Sequence, residues 1–221
     1  MTEWWTYRPS DFLLFSPRVY FRLFELHNEA LWPAPVLTLA LGAAILLMLV
    51  RPPRAGGRTV FAILGVLWLW VAWAFFWNRY AGINWAAPYV APAFALQGLA
   101  LLWFGAARGG LTFAPARRVT DYAALALLAF ALFGYPLLAV AYGRPWRAAE
   151  VFGIAPDPTA IATLAVLAVA RGRLRWLLMV VPCLWCAASG ATLWTMNAAG
   201  FWVSPLAAVA ALALAAMRSR D

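Results

Sequence analysis

The chain has no lysine, one histidine and two cysteines, and only 11% of its 221 residues are charged. Each scarcity removes a class of chemistry. Without a lysine amine there is no Schiff-base linkage to a carbonyl substrate or a retinal-type pigment. A single histidine cannot supply a zinc centre built on several imidazoles. No nucleophile with a base and an orienter, no phosphate loop and no His/Glu cluster appears, so no enzyme class is indicated and the cofactor is left unassigned. What is abundant excludes a soluble domain: 66% of residues are hydrophobic and the mean hydropathy is +0.78. Such a chain belongs in a lipid bilayer.

The pattern predicts an all-α integral membrane protein: one membrane domain over 1–221, with an N-terminal amphipathic interfacial helix and seven transmembrane helices. Trp4, Trp5 and Tyr7 suit an aromatic interface belt. The interfacial helix is expected over 10–29, capped by Ser16 with Pro17 in first position. On it Arg18, Arg22, Glu25 and Glu29 share one face, while Tyr20, Leu23, Phe24 and His27 share another. His27 reads as a packed interfacial histidine. Spans follow at about 32–50, 59–77, 86–107, 120–142, 151–170, 174–194 and 201–217, the fourth kinked at Gly134, Tyr135 and Pro136. Met1 to Tyr7 has no basic region and no small-residue cleavage site follows the first apolar run, so no removable signal peptide is expected.

Charge sets the orientation. The formal net charge is +9, its basic side all arginine. Arginines concentrate after the first, third and fifth spans and in the C-terminal tail, while the other loops hold only Arg79, Arg144 and Arg147. By the positive-inside tendency the C-terminus is cytoplasmic and the N-terminus outside, although Arg8, Arg18 and Arg22 run against this. The basic balance reads as topology and lipid headgroup contact rather than nucleic-acid binding.

The fifth span carries one charge, Asp157, between Pro156 and Pro158. Proline removes a donor and biases the preceding residue toward extended backbone, so a helix is expected from about Pro158, with Asp157 as its cap and Thr159 in its first turn. That helix is roughly 20 Å long against a hydrocarbon core of about 30 Å. Either it starts at headgroup level with Asp157 in water, or Val151 to Ala155 descends as non-helical backbone lining a polar cavity, which makes Asp157 an intramembrane site.

At the outer ends of the spans the sequence collects Asn78, Tyr80, Asn84, Trp85 and Asn197, a candidate polar and aromatic vestibule above Asp157. These residue types also make ordinary interface belts and turns. Gln97 reads as interhelical glue that becomes a cation or proton partner if it faces Asp157. Cys183 and Cys186 share one helix face, where packing with Gly190 competes with soft-metal or redox chemistry. Trp70, Trp73 and Trp77 form a stripe for lipid or packing contacts.

The stretches WTYRPSDFLLFSPRVYFRLFE at the start, N-E-A-L-W-P-A-P from Asn28 and F-G-I-A-P-D-P-T-A-I-A-T-L from Phe152 resemble an uncharacterised family of small bacterial multi-span membrane proteins, a domain of unknown function. The resemblance covers nearly the whole chain and implies a bacterial inner membrane, with no activity attached. The leading expectation is a protein that binds or translocates a small solute or cation through a periplasm-facing cavity centred on Asp157. The alternative is an accessory or scaffold subunit that binds partner helices, lipid or pigment, or a homo-oligomer. A thiol-based membrane oxidoreductase ranks third.

Overall fold

The structure, a computed structural model, describes residues 15–220. The aromatic segment at Trp4, Trp5 and Tyr7 and the first residues of the expected interfacial helix lie outside that range. Among the described residues the protein is all-helical, with no strand beyond an isolated antiparallel bridge between Thr112 and Arg171. Its helices are α1 (Pro17–Ala30), α2 (Ala34–Val50), α3 (Gly56–Trp70), α4 (Ala87–Ala100), α5 (Val119–Ala129), α6 (Tyr135–Ala141), α7 (Pro156–Val169), α8 (Leu174–Thr195) and α9 (Val203–Arg220). Helices α3 and α4 continue through wider π-helical turns at Val71–Trp77 and Leu101–Ala107. A third such turn, Phe130–Gly134, joins α5 to α6 just before Pro136, where the sequence predicts a kink.

Four helices are long and apolar enough to cross a membrane: Gly56–Gly82, Ala87–Ala107, Val119–Ala141 and Leu174–Thr195. A fifth candidate is α2, taken with α1, which meets it at a 90° bend. Pro156–Val169 and Val203–Arg218 are apolar but shorter. These are the elements of a membrane protein.

Ser16 caps α1, its hydroxyl accepting from Val19 N, and the helix buries Tyr20, Leu23, Phe24 and His27, the face the periodicity selects. Arg22 pairs with Glu25 on the other face. The buried face rests on Phe75 and Tyr80: Phe24 stacks on Phe75 at 5.2 Å and Tyr20 meets Tyr80 edge-on at 5.8 Å. Burial, and then the charge of Arg79, push the His27 pKa down to about 4, so the ring is neutral at neutral pH.

The other helices pack around α7, whose 14 residues are all buried. A helix apolar on every face is stable only when neighbours cover every face. Here α5, α8 and α9 supply most of that cover. Helix α9 offers Ala207, Ala208, Ala211 and Ala215, all buried at helical spacing, and small residues let helices approach closely. Trp68 of α3 is buried against α7 and donates its indole N–H to Thr163 Oγ1 at 2.8 Å.

Helices α3 and α4 cross at Gly65 and Gly98. A Cβ on either would lie 2.8 Å from the carbonyl oxygen of the other, a backbone contact that no rotamer change relieves. Gly98→Ala should therefore cost about 1–3 kcal/mol of stability in thermal unfolding in detergent. Gly82→Ala, with nothing within 4 Å of the new methyl, is the matched control and should leave the midpoint unchanged.

Candidate functional site

Asp157 is fully buried. The helix bearing it starts two residues before the expected position: Ala155 is the extended cap residue, Pro156 is in the first turn and Asp157 lies inside the helix. The expectation that Pro158 delays the helix gives way because first-turn N–H groups have no intrahelical acceptor, so a proline there sacrifices no helical bond. The cap has no side-chain acceptor. Instead Thr159 ties the entry, accepting from Gly153 N at 2.8 Å and donating to Ala155 O at 2.7 Å. Gly153 takes φ +74°, and a Cβ there would meet Leu67 and Thr38 at 3.0 Å, so this turn requires glycine.

Four donors from three helices converge on the carboxyl group. Oδ2 accepts from the Tyr135 hydroxyl of α6 at 2.8 Å, from Ser189 Oγ of α8 at 2.6 Å and from Ser204 Oγ of α9 at 2.6 Å. Oδ1 accepts from the Trp185 indole N–H at 2.8 Å. Tyr135 and Ser204 are also within 3.1 Å of each other. Ser189 sits six residues before the end of α8, which places the site roughly 9 Å below that end. Above it, Val151 to Ala155 is buried, non-helical backbone.

That descending segment is anchored at its top. The Asn28 amide of α1 donates to Arg147 O and Ala149 O, both at 2.8 Å, and Arg147 reaches Glu29 at 3.2 Å. Glu150 follows, buried beside Arg144 at 3.5 Å, with the Arg144 guanidinium 3.8 Å from the centre of the Phe21 ring. Burial, then the negative charge of Asp157, push the Glu150 pKa up to about 8 against the opposing pull of Arg144. Glu150, Arg144, Tyr142 and Tyr135 line a cavity of about 10 Å³, close to the space of one water. A groove of about 760 Å³ opens on its far side, lined by Arg18, Arg22, Arg79, Arg144 and the acid Glu25 among apolar side chains. Polar groups thus run from the groove through Arg144 and Glu150 to Tyr135, whose hydroxyl touches Asp157.

The other candidates are placed elsewhere. The Asn78 amide donates to Trp73 O at 2.9 Å and Asn84 Oδ1 accepts from Ala86 N at 2.9 Å, so both close helix ends. Tyr80 is buried in the aromatic cluster under α1, Trp85 is 61% exposed, and Asn197 takes φ 52° after α8. Among the described residues none of these five hydrogen-bonds to Asp157. Gln97 donates to Leu178 O of α8 at 2.8 Å, the interhelical bond the sequence suggests. Cys183 and Cys186 are free thiols, Cys186 buried, and Gly190, one turn further along α8, approaches α9 so closely that a Cβ would fall 2.3 Å from Pro205 Cγ. Among the described residues no three His, Cys, Asp or Glu side chains gather to hold a metal ion.

The sequence does not single out Tyr135, Trp185, Ser189 or Ser204 as partners of Asp157. Their one shared signal is a hydrogen-bonding side chain in a largely apolar helix, and Tyr135 reads as part of the kink at Pro136. Asn28 was readable only as part of a motif.

Residues 17–221 match the sequence model of a family described as "Family of unknown function (DUF6064)", and the chain belongs to that family. No curated protein and no solved structure matches it. The matched range includes Asn28, Glu150 and Asp157.

Proposed function

We propose that this member of a family without an assigned activity is a seven-span protein of a bacterial inner membrane that binds or translocates a small solute or cation at Asp157, entered from the periplasmic side. The N-terminus and α1 lie outside and the C-terminus is cytoplasmic. Supporting this topology, the loops after α2, α4 and α7 gather their arginines at one end of the bundle with Arg218, while Arg79, Arg144, Arg147 and α1 lie at the other. The observation that carries the functional reading is the meeting of a buried carboxyl oxygen with three hydroxyls from separate helices. Hydroxyls turn either a proton or a lone pair inward, so the same oxygens serve a carboxylate or a hard cation placed among them. A break at a helix start deep in the bundle is also where transporters bind their ions. The groove at Arg144 and the small cavity at Glu150 are the proposed entrance.

Purified protein in proteoliposomes, with sodium uptake and an enclosed pH dye as probes, tests this. Wild type should show sodium or proton flux above empty vesicles, and Asp157→Asn should abolish it. Equal traces for the two proteins, or no flux of either ion with wild type, would overturn the reading.

The closed packing around α7 supports a second reading, an accessory subunit in which the Asp157 network only ties helices together. Large exposed aromatic side chains, among them Trp73, Trp77, Trp146 and Trp202, would then meet partner helices, lipid or pigment. Under that reading partner chains or a bound chromophore copurify from native membranes and Asp157→Asn changes stability alone.

A further inference from the structure

At the end of the bundle opposite Asp157, the start of α5, the end of α7, the start of α8 and the end of α9 surround a basin of about 890 Å³. Its lining includes Arg117, Arg118, Arg171, Arg173, Arg175 and Arg218, against a single acid among the described residues, Asp121. We propose that this basin binds an anion bearing at least two phosphate charges.

Structural duties account for only part of this charge. Arg175 is buried and donates to Ala170 O at 2.9 Å and Ala215 O at 3.0 Å, closing the ends of α7 and α9. Asp121 is committed too: Oδ2 accepts from Arg117 N at 3.1 Å and Arg118 N at 3.3 Å, capping α5, and Oδ1 takes the guanidinium of Arg218. Among the described residues the side chains of Arg117, Arg171 and Arg173 have no acidic partner.

The cations are also held together rather than free to disperse. Thr112 N donates to Arg171 O at 3.2 Å and Arg171 N to Thr112 O at 2.8 Å, clamping the α4–α5 loop to the α7–α8 turn. Gly172, at φ +123°, has room for no Cβ: one would lie 2.6 Å from Gly110 O. Like charges fixed on rigid backbone repel until an anion joins them, and guanidinium forks match phosphate oxygens in pairs. The walls include Pro115, Ala114 and Trp176, the last 39% exposed, so an amphiphile fits as well as a soluble ester. Basic pockets between membrane helices on the cytoplasmic side hold phosphorylated headgroups by this chemistry.

The test is thermal unfolding of the full chain with two probes: pyrophosphate added in uncharged detergent, and nanodiscs of phosphatidylcholine with or without cardiolipin. At least one probe should raise the wild-type midpoint by several degrees. Arg171→Gln with Arg173→Gln should abolish the shift and weaken binding about tenfold or more. Arg51→Gln with Arg54→Gln, the same charge removed from exposed positions outside the basin, should preserve it. A shift with cardiolipin alone assigns a lipid headgroup, and a shift with pyrophosphate as well assigns a soluble phosphate compound. No shift with either probe, or equal loss in the two double variants, would overturn the proposal.

Discussion

Replacing Asp157 by alanine should destabilise the bundle by about 3 kcal/mol or more, among the largest losses any single side chain of this protein can produce. The substitution removes the common acceptor of four donors in a site without solvent exposure. Tyr135 and Ser204 can satisfy each other across their 3.1 Å contact. The Trp185 indole cannot, because it has a donor and no acceptor, and Ser189 loses its partner as well. Asp157→Asn keeps the shape and an acceptor oxygen, so its cost should be about half that of alanine. Ser189→Ala and Tyr135→Phe remove one donor each and should cost about 1 kcal/mol apiece. Unfolding in detergent, read by tryptophan fluorescence, gives the series. An alanine variant within about 0.5 kcal/mol of wild type would mean that the carboxyl group does not tie α6, α8 and α9 to α7.

The series also separates the two functional readings. If the network is only a tie, ion flux is absent whatever the stability, and the Asn variant differs in midpoint alone. If the carboxyl group handles an ion, the Asn variant loses flux while still folded, because an amide cannot exchange a proton or balance a cation's charge as a carboxylate does. Stability and flux should then fall in different orders across Asn, Ser189→Ala and Tyr135→Phe.

How far the sequence discloses this arrangement depends on the range of each interaction. The buried face of α1 was legible because helical periodicity is local: Tyr20, Leu23, Phe24 and His27 follow the 3.6-residue repeat. The limits of α8 are legible for the same reason, Leu174–Thr195 against an expected 174–194. Burial of Asp157 below a non-helical stretch is one of two alternatives the sequence leaves open, and the side chain is buried because neighbours on other helices cover it. Its partners were not legible: Tyr135, Ser189 and Ser204 are 22, 32 and 47 residues away, and only the packing of α6, α8 and α9 brings them near. Asn78 and Asn84 read from the sequence as vestibule amides, and in the structure each makes a short-range bond that closes a helix end.

Glu150 should make the protein less stable as pH rises from about 4.5 to about 8, and Glu150→Gln should flatten that slope. The ordinary carboxyl value of 4.5 is pushed up to about 8 by burial first and by the Asp157 charge second. Within that window the folded protein keeps a proton that the unfolded chain has released, so stability is fully present below about 4.5 and is lost as pH climbs through 8. At about 1.4 kcal/mol per pH unit the ceiling on this loss is about 5 kcal/mol. Glutamine mimics the protonated acid and still offers an acceptor to Arg144, so the variant should match wild type near pH 4.5 and exceed it at pH 8. Parallel stability profiles for the two proteins would show that Glu150 is solvated in the folded state. Because part of the shift comes from Asp157, the Asp157→Asn protein should stop losing stability at a lower pH than wild type and lose less in all. That displacement would show that the two acids, one beside the groove at Arg144 and one in the core, respond to each other's charge, as the proposed path for ions between them requires.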